Sequence, residues 1–331
     1  MRITTLIAAI GVAAGLTAAP APAEAAPVAV KIVWPTADSA VDPYAIVARG
    51  FAKELEALAP GQFKFSFYPN HQLGDETDEL QGMTLGSIEA GVFTDNQVAN
   101  VVADYHVYDL PFLFASYEQV YRVVDGEIGA ALAKKLQARG IVSLGTPVAG
   151  FRNVINNVRP VRTPDDLRGM KLRMPPVAIF LDSFRALGAN PVPMEWSQCF
   201  TAVQQGTIDG LEIPLPVIKA NKYPEVTKYL SLTQHAFNAL SLLMSGKTFD
   251  RLTAQQQTAV RTAATRAIAA QRRLVEAGDA KVLQELKTQG MKANELANVA
   301  DFRAKVKPVY DDYRKKLGAE LIDKALAEVS R

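Results

Sequence analysis

One cysteine, Cys199, and three histidines, His71, His106 and His235, occur in the 331 residues. A single thiol cannot close an internal disulfide, so an oxidising compartment is tolerated but not exploited. Cys199 sits in Trp196-Ser-Gln-Cys-Phe200 with no histidine nearby, which reads as a buried structural thiol rather than a nucleophile. No pair of histidines stands at metal-ligand spacing, so neither a metal nor another cofactor is expected. A Gly-x-Ser-x-Gly elbow and a Gly-rich phosphate loop are both missing, which removes the sequence support for acyl transfer and nucleotide chemistry. The formal charge is only +2, so no broad basic surface for nucleic acid is implied. Beyond residue 25 no apolar run is long enough to cross a bilayer.

What is present begins with an address. Met1-Arg2 gives a positive start, residues 6–19 form a short apolar run, and Ala23-Glu24-Ala25 supplies small residues in a cleavage-site pattern. This is the layout of a secretory signal peptide, cut after Ala25. With no cysteine near that point, no lipid attachment is expected, and the mature chain from Ala26 is expected in the periplasm. The remaining length allows two core-bearing lobes.

The chain then alternates between two hydrophobic periods. Residues 28–34 read as a strand. Asp42-Pro43 reads as a helix start, with Asp as N-cap and Pro at the first helical position. Tyr44, Val47, Phe51, Leu55 and Leu58 recur at helical spacing, and 63–68 alternates as a second strand. Strand, helix, strand at this spacing is an α/β pattern. Helices are expected over 76–86, 118–140, 178–187 and 197–206, the last capped by Ser197. Strands are expected over 88–93, 141–147 and 170–174, and 208–212 leads into a turn at Pro214. Residues 253–289 contain no proline, begin with the capping-box pattern Thr253-x-x-Gln256 and stop at Gly290. One helix there would be roughly 55 Å long and could bridge two lobes. Gly278 leaves a second reading open, two ordinary helices broken at that point.

Two arginines are placed for chemistry. Arg173 lies in Lys171-Leu-Arg-Met-Pro175, at a strand end, which in open α/β folds faces a ligand crevice. Arg152 lies in Gly150-Phe-Arg-Asn153. A guanidinium matches a carboxylate through two parallel hydrogen bonds. Composition alone favours a surface charge over a ligand anchor for either arginine, and a core cover over a ligand stacker for Trp196, just before a helix. Loop and strand-end placement adds Trp34, Gln72, Phe93 and Asn96 as contacts from the first half of the chain.

Four segments together carry a resemblance. They are Pro69-Asn-His-Gln-Leu-Gly74 followed by Asp75-Glu76, Asp109-Leu-Pro-Phe-Leu-Phe114, the run from Arg162-Thr-Pro-Asp-Asp-Leu to Lys171-Leu-Arg173-Met-Pro175, and Gln204-Gln-Gly-Thr-Ile-Asp-Gly-Leu-Glu212 with Pro214. In this order, behind a signal peptide, the chain resembles the DctP-like solute-binding proteins of TRAP transporters. The resemblance implies an α/β, two-lobe periplasmic-binding-protein fold with a central cleft and a long interlobe helix. Lobe I would comprise 26–149 plus 239–277, and lobe II 150–238 plus 278–331. It implies a receptor that does no chemistry, closes on a small organic anion and delivers it to small and large membrane permease subunits. By position, Arg173 matches the carboxylate clamp, Arg152 a second arginine that supports or joins it, and Trp196 an aromatic that covers the ligand. Ile213 stands where sugar-acid binders often carry asparagine. That favours a smaller keto, hydroxy or aromatic acid over sialic acid, with a sulfonate also compatible. Some relatives dimerise through a carboxy-terminal helix, and 301–329 is helical enough to permit it. The rival reading is a periplasmic enzyme acting on an organic acid.

Overall fold

Strand β1 (Val28–Val33) pairs in parallel with β2 (Phe63–Tyr68), and the Pro43–Leu58 helix connects them. Asp42 caps that helix by accepting from the backbone N–H groups of Tyr44 and Ala45. The computed structural model describes residues 26–331; the expected signal segment and its cleavage point lie outside them. The remaining strands are β3 (Ala90–Thr94), β4 (Ile141–Gly145), β5 (Val148–Asn156), β6 (Lys171–Met174), β7 (Asn190–Pro193), β8 (Gly210–Pro214), β9 (Tyr229–Ser245) and β10 (Lys292–Glu295). Their order is β2-β1-β3-β9-β5-β8-β6-β7, with β4 and β10 also on β9.

The 17-residue β9 ties the two halves together. Its later part pairs with β3 and β4, and its earlier part with β5 and β10. The β5–β9 register shifts between Val148 and Gly150 and again between Arg152 and Val154. Such irregularities bend and twist a ladder. They fall where the chain passes from one half to the other, and Gly150 there adopts a φ of 107° that only glycine takes without strain.

The late helical run is one continuous helix, Ala254–Thr288, of 35 residues, opened by the Thr253–Gln256 capping box. It is not broken at Gly278. Its first part presents Ala263, Ala264 and Ala267 to the Pro43–Leu58 helix, close enough that a methyl on Gly50 would sit 3.6 Å from Ala267. Further along, it packs on the Leu215–Ala220 helix, where Lys219 pairs with Glu285 at 2.5 Å. Between these contacts the buried Gln271 accepts from the N–H of Val148 and donates to the carbonyl oxygens of Val148 and Pro43.

Three expectations are corrected. The helix expected over 118–140 is two, Tyr117–Val124 and Glu127–Gln137. At the break, a side chain on Gly126 would run into the Arg122 carbonyl. Ser197 is inside its helix, Trp196–Gln204, and Glu195 occupies the cap. The final helix, Ala319–Val329, packs on the Tyr117–Val124 and Glu127–Gln137 helices, within the stretch expected to be lobe I, and buries Ile322 and Ala325. Its apolar face is therefore covered by its own chain.

Two glycines give opposite expectations. At Gly278 a methyl meets no atom within 4 Å, whereas at Gly210 it would lie 2.0 Å from the Ile155 carbonyl oxygen. Gly278→Ala should raise stability by about 0.5–1 kcal/mol through helix propensity. Gly210→Ala should lower it by about 1–3 kcal/mol or more through overpacking. Urea unfolding midpoints measure both.

Candidate functional site

Strand ends from the two halves converge on a partly open cavity of about 40 Å³. One wall carries Thr36, Tyr44, Glu76, Thr94, Asn96 and Gln97. The facing wall carries Arg152, Arg173, Trp196, Pro214 and Val217. Arg173 gets there because β6, pinned between β7 and β8, is short and stops at Pro175. Arg152 gets there from β5 and Pro214 from β8, directly opposite it in the ladder.

The two arginines differ in what their guanidinium groups already do. Arg152 is buried and uses four of its five N–H donors on protein acceptors. It holds the Glu212 carboxylate through two nitrogens, donates to the Glu212 carbonyl oxygen at 2.8 Å and donates to the Asn238 side-chain oxygen. His235 Nε2 donates to the same carboxylate at 3.0 Å, which leaves Nδ1 to accept from the Thr233 hydroxyl at 2.8 Å. Burial pushes the Glu212 carboxyl up, but the charge of Arg152 and the bonds from Arg152 and His235 outweigh it and hold the group at about 2. Burial lowers His235, consistent with a neutral ring. The network continues across the cavity. Asn238 donates to the Tyr44 hydroxyl at 3.3 Å, which lies 3.1 Å from the Thr94 hydroxyl, and the Thr94 N–H donates to Glu76 at 2.8 Å.

Arg173 is also buried, at 4 % exposure, yet it is only partly engaged. Its Nε donates to the Met194 carbonyl at 2.8 Å, and neither terminal nitrogen has a hydrogen bond or ion pair with another described residue. Its guanidinium carbon lies 5.8 Å from the Trp196 ring centre. A buried cation with an open fork at a cavity is suited to a carboxylate or sulfonate, because an anion there would supply both charge and two acceptors in the geometry the fork requires. Glu76 shares the cavity. Burial raises its carboxyl to about 7, against the opposing pull of the Thr94 bonds and the Arg173 charge.

Of the residues expected at the site, Arg173, Arg152, Trp196 and Asn96 line the cavity. Arg152 does so as a satisfied ion pair rather than as an open fork. Four others are elsewhere. Trp34 is fully buried in the core, 6.1 Å from Phe67 between ring centres. Phe93 points into the core on the alternate face of β3 from Thr94. Ile213 packs in the same apolar cluster as Ile155 and Leu211, as the strand period places it on the opposite face from Glu212. Gln72 lies exposed on a turn. Sequence reasoning missed Tyr44, Thr94 and Glu76. Glu76 had a signal, since it lies in the Pro69–Glu76 segment that carried the resemblance. Cys199 is buried, with its thiol donating to the Glu195 carbonyl at 3.2 Å.

Residues 36–316 match the family described as bacterial extracellular solute-binding protein, family 7. The chain is 32% identical over 294 residues to the 2,3-diketo-L-gulonate-binding periplasmic protein of Escherichia coli, covering 88% of this chain and 89% of that one. Among solved structures, it is similar to a TRAP periplasmic solute-binding protein of a Polaromonas species bound to D-erythronate, with a TM-score of 0.87, 33% identity, and coverage of 91% of this chain and 98% of that one. It is also similar to the sugar acid binding protein of Advenella mimigardefordensis in complex with galactonate, with a TM-score of 0.89, 30% identity, and coverage of 93% and 99%.

Two measurements follow from this geometry. Arg152→Met leaves Glu212 buried without its cation and should cost about 3–5 kcal/mol in chemical denaturation. In the intact protein, Glu212 is held at about 2 against an ordinary 4.5, so its share of stability is complete above 4.5 and is lost as pH falls toward 2. A flat acid limb in the stability–pH curve would contradict the pair. Glu76, at about 7, gives the second. Its negative charge opposes an anion in the same cavity, so protonation should strengthen binding of an acid several-fold as pH drops from 8 to 6.5. Isothermal titration across that window should show the trend, and Glu76→Gln should flatten it.

Proposed function

The chain belongs to the bacterial extracellular solute-binding proteins of family 7, the solute receptors of TRAP transport systems, and from that footing we propose that its own cargo is a small organic anion held head-first on Arg173. The observation that carries this reading is the open guanidinium fork of Arg173, buried at a cavity and unused by the protein. Relatives are named for binding diketogulonate, erythronate and galactonate, all organic acids, and the fork suits the carboxylate they share. The cavity has room for about three or four water-sized groups, which suits a compact acid head. Family members are receptors rather than enzymes, and we assign no reaction to this one.

The lobe that carries Thr36, Glu76 and Asn96 would close by hinge motion on the lobe that carries Arg173 and Trp196. The crossing of β5 and β9 would act as the hinge, with 26–149 plus 239–277 as one lobe and most of the remainder as the other. Closure would expel water and strengthen the pairing of anion and guanidinium. The closed receptor would then dock on the small and large permease subunits in the membrane, having reached the periplasm through the amino-terminal signal segment.

A thermal-shift screen of the mature protein against carboxylates, sulfonates and neutral sugars tests the reading. A solute at about 100 times its Kd should add roughly 2.7 kcal/mol of stability. The shift should come from an acid, vanish in Arg173→Ala and weaken sharply in Arg173→Lys, since an ammonium lacks the planar fork. A shift given only by neutral sugars, or kept intact in Arg173→Ala, would sink the assignment.

A further inference from the structure

A second cavity of about 260 Å³ adjoins the first. The two share Pro35 and Trp196 as a common wall. The outer cavity is built differently from the inner one. One side of it is aromatic, with Trp196 and Phe200 at 5.8 and 5.7 Å from the Tyr223 ring centre, and the rest is lined by Pro35 and the polar Asn70, His71, Ser197 and Asn221. No lysine, arginine, aspartate or glutamate lines it. His71, also on this wall, is shifted downward by burial, with the Gly74 carbonyl and Asp75 opposing and Arg173 adding to the shift.

The sizes matter. The inner cavity accommodates a carboxylate and little beyond it, and the adjoining outer cavity offers a larger solute room past Trp196. The space it meets there holds no Lys, Arg, Asp or Glu and has three aromatic rings along one side, which suits a flat ring with polar substituents and does not suit a second charge. Exposed Asn70 and Ser197 at the rim leave polar groups for a ring substituent.

Resting on the receptor reading above, we infer that the outer cavity is a tail subsite, and that the solute is an acid carrying an aromatic or similar flat, uncharged substituent. Arg173 takes the carboxylate, and Trp196, Phe200 and Tyr223 take the ring.

Matched pairs of acids test this: lactate with 3-phenyllactate, pyruvate with phenylpyruvate, and succinate with phenylsuccinate, titrated calorimetrically into the mature protein. At least one phenyl member should bind about tenfold or more tighter than its short partner, from the apolar area the ring buries. Ser197→Trp fills the outer cavity from an exposed position and should remove that gain while leaving the short acid's affinity unchanged. Phe200→Ala, which takes away one wall without adding bulk, should reduce the gain as well and gives an independent reading if the tryptophan variant folds poorly. Short acids that bind while their phenyl partners bind no better, or a phenyl gain that survives both variants, would overturn the subsite and leave the receptor reading standing. If no member of any pair binds and only neutral sugars do, the receptor reading falls, and the subsite with it.

Discussion

The ion pair between Arg152 and Glu212 is the constraint around which the binding region is arranged. Two full charges held in a protein interior are tolerable only when every donor and acceptor is matched. Here the matching draws groups from many parts of the chain: His235 and Asn238 from β9, Glu212 from β8, Arg152 from β5 and, through Asn238, Tyr44 from the Pro43–Leu58 helix. Through the Asn238–Tyr44 bond the network around one buried pair also reaches the helix of the other half. The cavity beside it inherits that geometry.

Against this background the two arginines divide the labour by saturation. Arg152 has spent four of its five donors on the protein and can serve as a fixed positive background. Arg173 has a single protein bond and keeps its fork open. The energetic contrast is large, because an unmatched buried cation is costly and any anion that matches it removes that cost. Selectivity for acids then needs no elaborate recognition surface. Glu76 lines the same cavity, and when ionised its charge opposes that of a bound anion.

The fold was largely legible in the sequence, and the site partly so. Asp42-Pro43 and Thr253-x-x-Gln256 announced the starts of two helices because capping is local chemistry. β9 gave no such sign. It is buried on both faces for most of its length, so apolar and polar residues do not alternate, and Thr233, His235, Asn238 and Ser241 interrupt the run for reasons of hydrogen bonding across the sheet. Arg173 could be singled out as a short strand's last charged residue before proline. That Arg152 is engaged by the protein could not be read, since Glu212 lies sixty positions away along the chain and meets it only in the folded ladder. Trp34, Phe93 and Ile213 misled for one shared reason: a position near a strand end says where the backbone lies, while the two-residue period decides which face the side chain takes.

β9 has one more implication, for how such a protein can be taken apart or rebuilt. Because a single strand is a structural member of both halves, neither half owns a complete sheet. Cutting the gene at a lobe boundary would yield two fragments that each lack a central strand, unlike the separable modules of many multidomain chains. New specificities on this scaffold therefore come by exchanging the loops and strand tips around the cavity, with the shared strand left as it is, and grafting a whole lobe from a relative would have to carry its share of that strand along.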